Sequence, residues 1–150
     1  MTRVRVLFLC TGNSARSQMA EALLRHAAGD RFEAHSAGIE PKGVHALTLE
    51  VLREAGIDTS SLRSKHLREY QGRVTFDCLI TVCGHADQNC PTWTGVSQRL
   101  HWPFDDPAAA QGTQEERLAV FRRVRDEIAA RIGAWLRTQG QSTPGTWAKS

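Results

Sequence analysis

The chain begins with a short apolar segment that ends at a tight polar loop. Residues 4–9 read Val-Arg-Val-Leu-Phe-Leu and are followed at once by Cys10-Thr-Gly-Asn13. An apolar run of this length, ended by Gly and Asn, is typical of a buried parallel strand. Helical spacing over residues 17–28 puts four apolar side chains on one predicted face: Ala20, Leu23, Leu24 and Ala27. A strand that turns directly into a helix favours the α/β class, because parallel strands need crossover helices.

The rest of the chain repeats this alternation. Further strands are predicted at residues 32–37, 76–82 and 99–102, and a helix at 44–55. The clearest helix comes last, with apolar residues every three or four positions: Phe121, Val124, Ile128, Ile132 and Trp135. The expected fold is α/β, a doubly wound four-stranded parallel sheet flanked by helices over residues 1–139, with 140–150 as a flexible tail. Such sheets bind ligands beyond the carboxyl ends of their strands, where Cys10 and Cys83 fall.

Composition narrows the class of protein. The chain has 150 residues, enough for one ordinary domain with its own core. Its net charge of +3 is spread among acidic residues, which does not suggest a nucleic-acid surface. No stretch reaches the roughly 20 apolar residues that span a bilayer. We therefore expect a cytoplasmic, monomeric protein with no membrane or nucleic-acid partner, whose four cysteines are catalytic, metal-bound or core.

The loop after the first strand has the features of an anion site. Cys10 and Arg16 flank it, and a predicted helix follows directly, so backbone N–H groups and the helix N-terminus supply positive charge. Arg16 can donate two parallel hydrogen bonds to a tetrahedral oxyanion, and the same field favours a nucleophilic Cys10 thiolate. Asn13 suits a left-handed turn, and Ser17 can hydrogen-bond the sulfur. The predicted oxyanion-binding set is Thr11, Gly12, Asn13, Ser14, Ala15, Arg16 and Ser17.

This loop and three later segments resemble a known family. Residues 10–21, Cys-Thr-Gly-Asn-Ser-Ala-Arg-Ser-Gln-Met-Ala-Glu, resemble the anion loop of the low-molecular-weight tyrosine phosphatase fold. More narrowly, they resemble the thioredoxin-coupled arsenate reductases that share this fold. The similarity continues through residues 36–40, 81–91 and 101–107, so it covers nearly the whole chain before residue 140.

The resemblance implies a chemistry and a set of roles. Cys10 would form an adduct with arsenate, and Cys83 would attack Cys10 to release arsenite and leave a Cys10–Cys83 disulfide. Cys90 would then attack Cys83, and thioredoxin would reduce the resulting Cys83–Cys90 disulfide. The resemblance makes Asp106, which precedes a proline, the general acid, with Asp105 as the weaker candidate. No cofactor is expected, and phosphate and sulfate would compete with arsenate.

Helix geometry limits when the Cys83–Cys90 disulfide can form. Seven residues of α-helix rise about 10 Å, whereas a disulfide joins Cα atoms at most about 7 Å apart. If residues 84–89 are helical when the thiols are reduced, forming the Cys83–Cys90 bond must unwind them.

The cysteines could also have roles other than redox chemistry. Cys83 and Cys90 could be core residues, as we expect for Cys78, or they could join Cys78 and His85 in a zinc site. The absence of a C-x-x-C pair disfavours zinc.

Two departures from the family pattern affect the prediction. Phosphatases of this fold typically have tyrosines after the Asp-Pro pair, where this chain has Ala108 and Ala109. Some relatives bind potassium through residues matching Asn13, Glu21 and Ser36, and through two later positions that here are Arg63 and Lys65.

A cationic residue at those positions argues against a bound metal ion, so we expect the Lys65 ammonium to take the role of potassium. The alternative functions are a low-molecular-weight tyrosine phosphatase and a non-enzymatic thiol module that binds arsenite or a metal. A weak phosphatase side activity is expected in either enzyme, because the anion cradle is the same.

Overall fold

A computed structural model of the protein describes residues 3–90 and 93–140. The strands are β1 (Val4–Cys10), β2 (Phe32–Gly38), β3 (Cys78–Thr81) and β4 (Gln98–His101), and the helices are α1 (Arg16–Ala28), α2 (Ala46–Glu54), α3 (Gly84–Gln88) and α4 (Gln114–Gly140). Short 3₁₀ turns lie at Leu67–Glu69 and Pro107–Ala109. Apart from Gly140, which ends α4, the predicted tail at 140–150 lies outside the described residues. Within the described ranges, no helix is long and apolar enough to cross a bilayer.

The four strands form one parallel sheet, as the sequence predicted, and their order in the sheet is β2-β1-β3-β4. β1 is central, pairing with β2 along its whole length and with β3 from Val6 to Leu9. The chain moves to one side of β1 to form β2 and to the other side to form β3 and β4. The carboxyl ends of β1 and β3 are therefore the switch point, and Cys10 ends one of these strands.

Three helices, α1, α2 and α4, contact one another, and α1 lies on β1 and β2. The apolar residues predicted for the last helix are all buried in α4: Phe121, Val124, Ile128, Ile132 and Trp135. Trp135 meets Phe32 of β2 with ring centroids 5.2 Å apart. The predicted face of α1 was wrong at its last position, because Ala27 is exposed and Ala28 is buried. In α1 every residue from Ser17 to Leu24 is buried, and after Leu24 Ala28 is the one buried residue of the helix.

Aromatic side chains of β2 and of the loops beside it form a cluster on the face of β2 opposite to Phe32. His35 of β2 lies edge-on to Tyr70 and Phe76, with ring centroids 5.2 Å and 5.6 Å away. Phe76 in turn meets Trp93 at 5.7 Å. Since side chains alternate along a strand, Phe32 and His35 point to opposite faces, and both faces of β2 are packed.

Gly38 gives a test of how tightly the sheet fits the loop after β1. It pairs with Cys10, and a Cβ atom at this position would lie 2.7 Å from the Thr11 carbonyl oxygen. We expect Gly38→Ala to lower the free energy of unfolding by about 1–3 kcal/mol through overpacking. The control is Gly133→Ala within α4, where, apart from the helix's own backbone, the nearest atom to an added Cβ would be 3.8 Å away. It should stabilise the protein by about 0.5–1 kcal/mol, since Gly disfavours helices. Chemical denaturation that showed equal effects for both variants would contradict this.

Candidate active site

The loop between β1 and α1, residues 10–17, surrounds the sulfur of Cys10 and is called the anion loop below. Cys10 is 2% exposed at the end of β1. Its sulfur accepts a hydrogen bond from the Asn13 backbone N–H at 3.2 Å and lies 2.9 Å from the Ser17 hydroxyl. Asn13 has a φ of 46°, the left-handed conformation expected for it. The loop therefore folds back over the sulfur and directs donors toward it.

The direction of the Ser17 hydrogen bond follows from its other partner. The Asn13 side-chain amide donates to the Ser17 oxygen at 2.7 Å. The hydroxyl of Ser17 thus accepts from Asn13 and keeps its single proton for Cys10. Two fixed donors, the Asn13 backbone N–H and the Ser17 hydroxyl, are therefore directed at the sulfur.

Arg16 lies at the start of α1, where its side chain is held by the segment before Pro107. Its guanidinium donates to the Phe104 carbonyl at 3.2 Å and lies 3.6 Å from a carboxylate oxygen of Asp106. The side chain is 13% exposed, so it is fixed beside the loop and not extended into solvent. A tetrahedral oxyanion above Cys10 would have this guanidinium as a bidentate partner.

The two neighbouring aspartates point to different places. Asp106 faces the anion loop, and its other oxygen accepts a hydrogen bond from the Ala108 backbone N–H at 3.0 Å. Asp105 is 75% exposed and pairs with Arg123 of α4 at 3.2 Å. Of the two aspartates, Asp106 is therefore the one whose carboxylate lies beside Arg16 of the anion loop.

A cavity of about 250 Å³ lies over the anion loop. It is lined by Cys10, Thr11, Gly12, Ser14, Ala15, Arg16, Lys42, Asp106 and Ala108. Most of the predicted oxyanion-binding set thus faces the cavity. Asn13 and Ser17, which are fully buried, lie behind the loop and bond to the sulfur and to each other.

Lys42 was missed by the sequence analysis. Its backbone N–H donates to the Gly12 carbonyl at 2.9 Å, and its side chain runs alongside Gly12, where a Cβ atom would meet it at 3.4 Å. The exposed ammonium adds a second positive charge to the rim of a cavity that already holds Arg16. A signal was available, since Lys42 follows β2, whose carboxyl end lies at the same sheet edge as Cys10.

Cys83 lies against the anion loop. It follows β3, is 6% exposed, and accepts a hydrogen bond from the Ala86 backbone N–H as the N-cap of α3. Its sulfur lies 3.3 Å from the Thr11 hydroxyl. Because β1 and β3 are paired neighbours, the cysteines that follow or end them meet at one edge of the sheet.

Cys90 and Cys78 have different surroundings. Cys90 is half-buried beyond α3, and burial raises the pKa of its thiol, with Asp87 adding to the rise and Arg99 opposing it. Cys78 starts β3, at the opposite end from Cys83, and burial raises the pKa of its thiol to about 12. Cys78 is therefore an unreactive core residue, as expected. Within residues 3–90 and 93–140, no three His, Cys, Asp or Glu side chains are grouped to hold a metal ion.

Behind the loop, a buried carboxylate has two cationic neighbours. Glu21 accepts a hydrogen bond from Ser36 at 2.6 Å, pairs with Arg25 at 2.7 Å and lies 3.6 Å from the Lys65 ammonium. Lys65 is 7% exposed, and burial lowers the pKa of its ammonium while Glu21 opposes the shift. Arg63, by contrast, is exposed and pairs with Glu69.

The position of Lys65 bears on the potassium site of some relatives. Its ammonium donates to the Arg63 carbonyl at 2.8 Å, and its backbone N–H donates to the Asn13 side chain at 2.9 Å. A potassium ion beside Glu21 and Ser36 would meet this ammonium, so the residues present do not fit the ion.

Comparison with known proteins identifies similar chains. Residues 5–143 match the family described as low molecular weight phosphotyrosine protein phosphatase. An arsenate reductase from Halalkalibacterium halodurans is 46% identical over 138 residues, 92% of this chain and 99% of that protein. A solved arsenate reductase in the phosphate binding state has a TM-score of 0.74 and 29% identity, covering 89% of this chain and 96% of the other. A thioredoxin-dependent arsenate reductase from Corynebacterium glutamicum has a TM-score of 0.70 and 30% identity, covering 94% and 64%.

The role of Lys65 can be tested by exchanging cations. At constant ionic strength, the free energy of unfolding should be the same in potassium and sodium chloride, because Lys65 already supplies the charge. Lys65→Gln should lower it by about 1–3 kcal/mol, the cost of leaving a buried charged group short of a partner. Arg25 still pairs with Glu21, which keeps the loss in that range. The control, Lys42→Gln, removes an exposed lysine and should cost less than about 0.5 kcal/mol. A potassium-specific rise in wild-type stability would show that the ion still binds.

Proposed function

The chain belongs to the low molecular weight phosphotyrosine protein phosphatase family, and within it we propose that this protein is an arsenate reductase. The observation that carries the proposal is Cys83, whose sulfur lies 3.3 Å from the Thr11 hydroxyl of the anion loop. A phosphatase needs one thiolate and water. Reducing arsenic(V) to arsenic(III) takes two electrons, which two thiols supply when they form a disulfide. The similar arsenate reductases support the same conclusion.

The first step joins arsenate to Cys10. The loop N–H groups, Arg16 and Lys42 hold the arsenate oxygens over the sulfur. The Cys10 thiolate attacks arsenic, a sulfur–arsenic bond forms, and one oxygen leaves as water after accepting a proton. Asp106 delivers that proton, since it lines the cavity. Arsenate draws Arg16 away from Asp106, which frees the carboxyl group for proton transfer.

The second step reduces the arsenic. The Cys83 thiolate attacks the Cys10 sulfur, a sulfur–sulfur bond forms, and the sulfur–arsenic bond breaks. The electron pair of the broken bond stays on arsenic, which leaves as arsenite. The two thiols are oxidised to a Cys10–Cys83 disulfide, so two electrons have been transferred. The distance of 3.3 Å between the Thr11 hydroxyl and the Cys83 sulfur supports this order, because the attacking thiol already borders the anion loop.

The third step moves the disulfide away from the anion loop. The Cys90 thiolate attacks Cys83, Cys10 leaves as a thiolate, and a Cys83–Cys90 disulfide remains. Thioredoxin, an external dithiol, reduces this bond and becomes oxidised. The thioredoxin-dependent relative supports this choice of reductant. Thiols that return to the reduced form after each turnover suit the cytoplasm.

Coupled turnover tests the proposed function. Arsenate should cause oxidation of NADPH when thioredoxin and thioredoxin reductase are supplied, and Cys10→Ser should abolish it. Replacing thioredoxin with glutaredoxin and glutathione should give a much lower rate. Phosphate ester hydrolysis that exceeded arsenate reduction and survived loss of Cys83 and Cys90 would make the protein a phosphatase. Arsenite binding without turnover would make it a thiol binding module.

The order of the thiols can be read from variants that stop at different steps. Cys90→Ser should release one arsenite per enzyme and stall with a Cys10–Cys83 disulfide, because the resolving thiol is missing. Cys83→Ser should release no arsenite unless a small thiol is added. Cys78→Ala, which changes a core cysteine, should keep multiple turnover. Mass mapping of stalled Cys90→Ser that found Cys10 and Cys83 unlinked would disprove the order.

The acid can be identified by comparing the neighbouring aspartates. Asp106→Ala should lower kcat by about 10²- to 10⁴-fold, the usual contribution of general acid catalysis. Asp105→Ala is the matched control and should have a much smaller effect, since Asp105 is turned toward Arg123. Single-turnover measurements of arsenite release give both rates. A larger loss for Asp105→Ala would reverse the assignment.

A further inference from the structure

The helix between Cys83 and Cys90 is too short to be stable alone. α3 has five residues, Gly84–Gln88, whereas isolated helices shorter than about 12–15 residues are marginal in water. Contacts with the rest of the protein must therefore keep it wound. One is the side chain of Ala86, which is fully buried. Another set of contacts is made by Asp87, which the proposed reaction does not use.

Asp87 is bonded to both strands beneath α3. The fully buried Thr81 hydroxyl donates to a carboxylate oxygen of Asp87 at 3.0 Å. Arg99 of β4 donates to the Asp87 backbone carbonyl at 3.1 Å, and its guanidinium lies 3.7 Å from the carboxylate. Since Thr81 ends β3 and Arg99 lies in β4, Asp87 ties the middle of the Cys83–Cys90 segment to two strands.

The bond from Thr81 has a fixed direction. A carboxylate only accepts hydrogen bonds, and Thr81 has a single hydroxyl proton. The alternative acceptor, the Leu100 carbonyl, is uncharged and farther away at 3.4 Å. The proton of Thr81 therefore goes to Asp87, and its oxygen accepts from Nδ1 of His101, 2.8 Å away. Asp87 is thus the final acceptor in a chain of hydrogen bonds that begins at His101, the last residue of β4.

This arrangement opposes formation of the second disulfide. With Cys83 as N-cap and Asn89 as C-cap of α3, six helical steps place the Cα atom of the residue before Cys90 about 9 Å from that of Cys83. A disulfide allows at most roughly 7 Å between its two Cα atoms. Unwinding α3 moves Asp87 relative to the rigid strands, so the bonds to Thr81 and Arg99 break. These bonds therefore stabilise the dithiol form and are absent from the disulfide form.

We propose that Asp87, held by Thr81 and Arg99, is a positioning residue that keeps α3 wound and raises the reduction potential of the Cys83–Cys90 pair. The inference rests on the proposed function, since it gives that pair its redox role. Breaking the Asp87 bonds costs free energy when the disulfide forms, and remaking them favours its reduction by the external dithiol. Asp87 thereby makes regeneration of the enzyme easier.

The potential of the pair tests this directly. It is measured in the Cys10→Ser background by equilibration with dithiothreitol buffers, without arsenate. Thr81→Val and Asp87→Ala should each shift the equilibrium about tenfold toward the disulfide, about 30 mV more negative for a two-electron couple. Thr81→Ser keeps the hydroxyl and should retain the wild-type potential. Asp126→Asn, which loses a surface pair with Arg125 on α4, is the control and should not move it.

Amide hydrogen exchange of the reduced proteins is a second test of whether Asp87 keeps α3 wound. Amides of residues 86–89 should exchange faster in Thr81→Val and Asp87→Ala than in Thr81→Ser, because α3 unwinds more often. If Thr81→Val fails to fold, Asp87→Asn on the half-exposed helix should still lower the potential, since it loses the charge facing Arg99. Unchanged potentials in the folded variants, or a shift equal to that of Asp126→Asn, would overturn the proposal. Neither measurement uses arsenate, so failure here is distinct from failure of arsenate reduction in the coupled assay.

Discussion

The hydrogen bonds of the buried Asn13 side chain hold the anion loop in its shape. Its amide nitrogen donates to Ser17 and Ser36, and its oxygen accepts from the backbone of Lys65 and from Gln18. These partners lie in α1, in β2 and in the segment after residue 62, so three parts of the chain fix one left-handed residue. Because a fully buried amide needs all its partners, loss of any of them would disturb the loop. Through Ser17 the same network directs a proton donor to the Cys10 sulfur.

Charges of opposite sign are arranged in layers around this network. Behind the loop, the buried Glu21 is neutralised by Arg25 and Lys65, so its negative charge is compensated where it lies. In front, Arg16 and Lys42 border the cavity. Local compensation at the back leaves the field at the front to the groups that border the cavity, which are these two cations, the Asp106 carboxylate and the loop N–H groups. An oxyanion is therefore attracted to the side where Cys10 can attack it.

Local patterns predicted most of this architecture, whereas contacts between distant segments did not follow from them. The β1–loop–α1 unit, the parallel sheet and the buried face of α4 were predicted from apolar spacing. Ala27 was misplaced because apolar spacing did not distinguish it from Ala28, the one buried residue in the last turn of α1. The bond from Ser17 to Cys10 lies within one loop and could be anticipated. Lys42 and Asp87 lie in short irregular or helical segments with no periodic pattern. Their positions depend on strand order and register, which place the end of β2 beside β1 and Thr81 opposite His101.

The sequence of thiol reactions matches the anchoring of the three cysteines. Cys10 ends the central strand and is enclosed by donors, so the sulfur proposed to bind arsenic is held in place. Cys83 caps α3 directly after β3, close to the loop yet attached to an element that can move. Cys90 lies beyond α3, and burial raises the pKa of its thiol, which restrains its reactivity while the helix is wound. Unwinding must bring Cys90 to Cys83, because β1 and β3 are fixed by the sheet. In the proposed order, the disulfide thus passes from Cys10, which the central strand holds, to Cys83 and Cys90 on either side of α3.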